Sequence, residues 1–227
     1  MLTVSVIIPV LNEEVAVAAA IASAHAADAD EVFVVDGGST DNTVSVARKD
    51  ATLLEAPSAG RSAQQNLGAT YATGDVLLFL HADCCLHVDG IRKLKERMQA
   101  DPTLVAGCFR QRIDKPGFAY RCLEQGNYLR AAVLNWAYGD QAIFVRTEVF
   151  NAVGQFPQVK FMEDLLIMKV LRKQGRVRVI DSPLLVSARR WERRGILRQT
   201  VRNWCLITAA QLGVSPNWLA RFYPNDR

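Results

Sequence analysis

Apolar runs of strand length alternate through the first half of the chain with polar turns and longer helix-forming stretches. Thr3 to Val10 predicts a buried strand. Asn12 followed by Glu13 and Glu14 predicts a helix start with acids in its first turn, leading into the alanine-rich run to Ala27. Glu31 to Val35 predicts a second strand, Ser39, Thr40 and Asp41 cap a short helix through Arg48, and Thr52 to Glu55 predicts a third strand. Gly60 to Tyr71 reads as a helix and Gly74-Asp75 as a turn. Val76 to Leu80 is a strand with no polar alternation, as expected where both faces of a parallel sheet are covered. Strand then helix, repeated, predicts a doubly wound α/β core.

The second half is less regular. Val88 to Gln99 predicts a helix ending before Asp101-Pro102, and Leu104 to Arg112 a strand that opens a mixed part of the sheet. Phe118 to Leu134 predicts a helix and Gln141 to Val145 a short strand. Met162 to Gln174 predicts a helix with apolar Leu165, Leu166, Met168 and Leu171, closed by Gly175 in a left-handed cap, before a strand from Arg176 to Ile180. From Ile196 to Leu212, Leu197, Val201, Trp204, Thr208 and Leu212 fall at helical spacing, while Arg190, Arg194, Arg198 and Arg202 recur every fourth residue. Gly195 argues against helix just before it. There is no internal repeat and no low-complexity linker.

Composition narrows the class. At 227 residues, 50% of them hydrophobic, the chain can bury a large core, and no disorder class fits. Its apolar runs fall far short of the ~20 residues that span a bilayer, and Met1-Leu2-Thr3 lacks a basic leader, so a cytoplasmic protein is expected. Five cysteines with no Cys-x-x-Cys pair suggest neither a disulfide framework nor a cysteine zinc site. The net charge of +4 hides an asymmetry: residues up to Thr103 carry 7 Lys and Arg against 14 Asp and Glu, and the remainder 20 against 9. An acidic half joined to a basic half suits nucleic acid, an anionic membrane surface, or a phosphorylated ligand held between metal-binding acids and arginines.

Two acidic clusters carry the chemistry: Val35-Asp36-Gly37-Gly38-Ser39-Thr40-Asp41, and Leu80-His81-Ala82-Asp83. Each places a carboxylate where an apolar strand stops, the sheet edge that faces the ligand crevice in open α/β folds. After the first strand comes Pro9-Val10-Leu11-Asn12-Glu13, with neither a Gly-x-Gly-x-x-Gly nor a P-loop, so the usual dinucleotide and nucleoside-triphosphate folds are disfavoured.

Taken in order, Ile7-Ile8-Pro9-x-x-Asn12-Glu13, Val35 to Asp41, the helix Gly60-Arg61-x-x-Gln64-x-Asn66-x-Gly68, Leu80-His81-Ala82-Asp83, Glu163-Asp164 and Arg189-Arg190-Trp191 resemble the family 2 inverting glycosyltransferases. The resemblance spans roughly residues 3 to 191, and the short form resembles a small bacterial branch of the arsenosugar-biosynthesis-like type. It implies a GT-A fold, doubly wound and mainly parallel with helices on both faces and a mixed second half, plus a C-terminal amphipathic helix. The expected organisation is a transferase domain over 1–187, with a nucleotide-binding half at 1–103 and an acceptor half at 104–187, then a basic helical extension over 188–227.

The same resemblance assigns roles. The backbone at Pro9, with Asn12, Glu13, Asp36, Gly38 and Arg61, would hold the nucleotide, a carboxylate reading the uracil imide. Ser58-Ala59-Gly60 opens the Arg61 helix toward an anion. Asp83 stands as the second acid of the family's Asp-x-Asp signature, and His81 replaces the first. A divalent cation, Mn²⁺ or Mg²⁺, needs only one or two protein carboxylates beside phosphate oxygens, and an imidazole at His81 tilts the choice toward Mn²⁺. Asp164 is the expected base for the acceptor hydroxyl and Glu163 an acceptor ligand; the bland alternative is two acids at a helix N-terminus. Asp140 would line the acceptor pocket.

The tract Arg189 to Arg194 has three readings: a clamp in which Arg190 meets the leaving diphosphate and Trp191 walls the acceptor, a contact with anionic lipid on the inner face of the membrane, or a solvated arginine stripe. Ser187 at the glutamine position of processive relatives points to single transfer. The expected activity is metal-dependent inverting transfer from a nucleotide diphosphate sugar, above all a UDP-sugar, to a small or lipid-linked hydroxyl acceptor. Competing readings are a sugar-1-phosphate nucleotidyltransferase and a non-catalytic nucleotide-sugar binding module. Aromatic residues are too sparse among the arginines to favour nucleic acid.

Overall fold

A computed structural model describes residues 1–57 and 60–222; Ser58, Ala59 and the last five residues of the basic extension lie outside them. The apolar runs of the first half form β1 (Val4–Val10), β2 (Glu31–Asp36), β3 (Thr52–Glu55) and β4 (Val76–Phe79), connected by α1 (Val17–Ala26), α2 (Thr43–Ala47) and α3 (Arg61–Tyr71). There follow β5 (Cys84–Leu86), α4 (Gly90–Ala100), β6 (Leu104–Ile113), α5 (Phe118–Leu134), β7 (Ile143–Arg146), α6 (Thr147–Ala152), α7 (Glu163–Leu171) and β8 (Arg176–Val186). The chain closes with α8 (Arg189–Arg194), α9 (Ile196–Gln211) and α10 (Pro216–Leu219).

All eight strands share one sheet in the order β3-β2-β1-β4-β7-β6-β8-β5. The first four are parallel, β7 runs antiparallel to β4 and β6, and β5 antiparallel to β8. This is the α/β sheet with a mixed second half that the GT-A resemblance implies. Alternate residues of the central strands serve opposite faces. Val4, Val6, Ile8 and Val10 pack with Ile21 of α1 and Leu94 of α4, while Ile7, Phe33 and Val35 pack with Ala69 of α3 and Met168 of α7. Chain order reverses at β1, with β2 on one side and β4 on the other, so the crevice lies beyond the ends of β1 and β4.

Several local expectations are corrected. The first helix starts at Val17 and has no acid in its first turn, not at Asn12. Asn12 is left-handed at φ 54°, and its neighbours bond sideways: Glu13 N–H donates to Thr43 Oγ1 (2.8 Å) and Asn42 N–H to Glu14 Oε2 (3.0 Å). These groups tie the loop to the one after β2 and so cannot cap a helix. Gly175 is not in a left-handed cap; a Cβ there would lie 2.6 Å from Val105 Cγ1 and 2.7 Å from the Thr103 carbonyl, so it is glycine for a close approach to β6. The last strand runs on to Val186 because a register shift after Ile180 absorbs Pro183, which has no N–H for a regular ladder. Residues 189–194 are helical despite Gly195, which ends that helix at φ 78°. The apolar stripe of α9 does not face the core: Leu197, Val201, Trp204 and Leu212 are exposed, and Gln199 and Leu206 are buried instead. β5 and α6 are short elements that the apolar pattern does not signal. Among the described residues, no helix is long and apolar enough to cross a membrane.

Candidate active site

The residues after β1, β2 and β4 meet at one edge of the sheet. Pro9 costs no ladder bond there, because β4 pairs with β1 only as far as Ile7 and β2 supplies its partner on the other side. Gln64, buried in α3, donates to the carbonyls of Val10 (2.7 Å) and Val35 (2.8 Å) and so clamps the ends of β1 and β2 together. Asn66 exchanges two hydrogen bonds with the backbone of Phe156, and a Cβ on Gly68 would sit 2.5 Å from Ile7 Cγ2. Of the polar positions named in that helix motif, Arg61 lines the cavity described below, whereas Gln64 holds the helix to the sheet and Asn66 holds it to the segment after α6.

Asp36 is spent largely on its own turn. One oxygen accepts the N–H groups of Gly38 (2.8 Å) and Ser39 (2.9 Å), and the other accepts the Ser39 hydroxyl. Gly38 carries the positive φ of 97° that this turn requires. Asn12 joins the same loops, donating from its N–H to Ser39 Oγ and accepting the Thr40 N–H, both at 2.9 Å.

Beyond β4, Asp83 is only 10% exposed and lies 3.3 Å from Arg189, which also bonds Glu13 at 2.7 Å. One arginine therefore bridges an acid after β1 and an acid after β4. Burial alone would raise the Asp83 pKa, but the charges of His81, Arg190 and Arg189 outweigh it and hold the carboxyl below its ordinary value. The other Glu13 oxygen is buried without a hydrogen-bond partner. Cys84 packs behind Asp83, its thiol 3.8 Å from Asp83 Oδ1 and pushed well above the ordinary thiol pKa by burial.

Beside these acids lies a cavity of about 90 Å³ whose walls include Arg61, His81, Asp140, Asp164 and Arg190. Met162, left-handed at φ 63°, turns the chain into α7 so that Asp164 enters this cavity while Glu163 is held by Arg61 at 3.2 Å. Asp164 Oδ2 accepts the Gly139 N–H at 2.7 Å. A Cβ on Gly139 would lie 2.6 Å from His81 Nε2 and 3.5 Å from Asp164 Oδ2, so the backbone threads between them where only glycine fits. Burial, then the charge of Glu163, pushes Asp164 up to about 6. Burial also raises Asp140. Asp83 and Asp164 are thus driven in opposite directions, the pattern expected when one stays ionised and the other exchanges a proton.

The cavity gathers Arg61, His81, Asp140, Asp164 and Arg190 from the sequence candidates. Pro9, Asn12, Glu13, Asp36 and Gly38 sit along the adjoining edge, where Arg189 joins Glu13 to Asp83. Trp191 is placed differently from the acceptor wall expected of it: it is buried in the main core and does not line the cavity. Sequence reasoning named Arg189 only as part of the basic tract, with no role of its own, and passed over Tyr138 and Asn203. Arg189 is one of four arginines in a six-residue tract with nothing local to single it out. Asn203 did leave a trace, since Gln199 and Asn203 form a polar pair four apart on the side of α9 away from its apolar stripe.

Asp83 and His81 suit a hard or borderline divalent ion, since a carboxylate kept ionised beside one imidazole leaves room for phosphate oxygens to complete the shell. Among the described residues, no group of three or more His, Cys, Asp or Glu side chains forms a closed metal site.

The family profile for glycosyl transferase family 2 matches residues 5–156. The chain belongs to this family. It is similar to the glycosyltransferase AglE of Haloferax volcanii, with 37% identity over 95 residues that cover 37% of this chain and 31% of the relative. Among solved structures it is similar to the mannosyltransferase PcManGT from Pyrobaculum calidifontis, in complex with GDP-Man and Mn²⁺ (TM-score 0.69, 21% identity, 93% of this chain and 62% of that one). It is also similar to S. aureus TarS 1-349 in complex with UDP (TM-score 0.68, 18% identity, 82% and 60%). This chain thus spans about a third of the curated relative and three fifths of those structures. At such identities the structures speak for the fold.

Proposed function

We propose that this glycosyl transferase family 2 chain moves a sugar from a nucleotide diphosphate donor, a UDP-sugar above all, to a hydroxyl of a small or lipid-linked acceptor, in one inverting displacement. The observation that carries the reading is the cavity in which Asp164, raised to about 6, faces the arginines Arg61 and Arg190 beside an ionised Asp83. Asp164 takes the acceptor's proton as the hydroxyl attacks, and a base with a pKa near 6 is largely ionised at neutral pH while still binding a proton in the transition state. Arg61 and Arg190 offset the charge that grows on the departing diphosphate. Asp83 and His81 would hold Mn²⁺ or Mg²⁺, whose charge would assist the same leaving group. The backbone at Pro9 and the side chains of Asn12, Glu13 and Asp36, with Gly38 shaping the turn, form the nucleotide shelf. Glu163 orients Arg61, and Asp140 contacts the acceptor. The relatives' complexes, GDP-Man with Mn²⁺ in one and UDP in the other, support a nucleotide-sugar donor and a divalent ion.

The test is thermal unfolding with a panel of nucleoside diphosphates, with and without Mn²⁺, on wild type and Asp83→Ala. A nucleotide at 100 times its Kd adds ~2.7 kcal/mol, a clear shift in melting temperature. A Mn²⁺-dependent shift with one nucleotide, lost in Asp83→Ala, is the expected result. No shift with any nucleotide would sink the reading.

A further inference from the structure

Helices α5 and α9 bury only part of their apolar surface, Tyr120, Leu123 and Ala131 on α5 and Leu206 on α9, and leave a second apolar set outside. On α9, Leu197, Val201, Trp204 and Leu212 are 80%, 58%, 71% and 81% exposed, and their spacing puts them on one face. The inward face carries polar groups: Gln199 is buried and bonds Asn203 at 3.1 Å and Arg202 at 2.7 Å. In α5 the charged residues bond groups of the protein. Arg121 donates to the carbonyls of Ile113 and Lys115, Glu124 accepts the Ile113 N–H, and Arg130 donates to Trp136 O and Gln141 Oε1. Phe118, Leu129 and Val133 are left exposed.

The segments that flank α5 reach α8 and α9. Lys115, just ahead of α5, pairs with Glu192 of α8 at 3.1 Å, and Trp136 and Tyr138, just after α5, pack with Leu206 and Ile207 of α9. An apolar surface of this kind, built from two elements, marks an interaction site.

Charge selects the occupant. Of the seven arginines in residues 189–222, which hold one acid, Arg189 and Arg190 serve the site and Arg202 bonds the inward Gln199, while Arg193 and Arg198 are exposed on the helices that carry or adjoin the stripe. A second copy of the chain would bring these arginines against their own kind. We propose that the α5–α9 face docks on an anionic bilayer surface, α9 lying in the interface with Trp204 and its apolar neighbours among the lipid chains and the arginines among the headgroups. On the transferase reading, on which this corollary alone rests, Asn203 and Ile207 on the inner side of α9 line the active cavity, so a lipid-borne hydroxyl would be one helix thickness, ~10 Å, from the base.

Flotation of the full chain with vesicles tests this without any sugar donor, so its outcome is independent of the transferase reading. Vesicles of phosphatidylcholine containing phosphatidylglycerol should carry the chain, and pure phosphatidylcholine much less. The double variant Leu197→Asp/Trp204→Asp should weaken binding by about tenfold or more, and Arg193→Glu/Arg198→Glu should abolish the preference for anionic lipid. Val88→Asp, exposed ahead of α4, should bind like wild type. Near-ultraviolet circular dichroism establishes that each variant is folded, and Val201→Asp replaces the double variant if that one is not. No flotation with anionic vesicles, or flotation indifferent to the aspartates, overturns the proposal. A concentration-dependent dimer in sedimentation that Val201→Asp converts to monomer, without vesicle binding, would assign the face to a second copy instead.

Discussion

Asp83 and Asp164 are the same residue type at the same sheet edge, and their surroundings send them opposite ways. Its neighbours His81, Arg190 and Arg189 keep Asp83 ionised against burial, whereas Asp164 has burial and Glu163 working together. A carboxylate acts as a base only when ionised, so kcat/KM should rise about tenfold per pH unit to a plateau above pH about 6, measured as a pH–rate profile. Asp164→Asn should lower kcat by ~10²–10⁴ with little change in donor KM. Gly139 offers a second check. Its Cβ would push into His81 Nε2, so Gly139→Ala should depress activity by displacing His81 from its place in the cavity wall while moving the melting temperature much less. The acids were legible in the sequence because each ends an apolar strand or opens a helix. Their different proton affinities were not, because burial and neighbours come from residues up to about a hundred positions away.

At the level of elements, the strand-helix alternation was readable from apolar runs, since a buried parallel strand leaves little room for polar residues. The glycine-arginine helix motif is instead divided by the structure into one cavity residue and a set of fasteners. Gln64 is the strongest of these, and Gln64→Ala removes the donor that two buried carbonyls share, although that of Val10 keeps the Gly37 N–H. It should cost ~1–3 kcal/mol, seen as a lower midpoint in denaturant, and loosen the loops that carry Asn12 and Asp36. Where elements were misjudged, non-local bonds decided. Asn12 to Glu14 look like a helix start until the loop after β2 supplies their partners, and Gly175 looks like a cap until β6 is brought against it. Helical period alone located α9 but not which side of it faces inward.

For the whole molecule, the acidic first half and basic second half meet at the site. Arg189 joins Glu13 to Asp83, and Arg61 joins Glu163 in the reverse sense. These contacts tie the segments after β1 and β4 to α8, and the start of α3 to the start of α7. With Arg189 38% exposed, solvent screens part of the interaction. Arg189→Ala should therefore cost about 1–2 kcal/mol in thermal or denaturant unfolding, a loss that shrinks as salt is raised.

The sequence by itself determined the α/β class, the family resemblance and the acids at the strand ends, because these follow from local periodicity and from residue types in order along the chain. Only the tertiary structure decided that Arg189 bridges two acids, that Gly139 passes between His81 and Asp164, that Trp191 is core, and that α5 and α9 leave a second apolar set outside. Each of these depends on which surface a segment meets, and that is set by contacts between residues far apart in the chain.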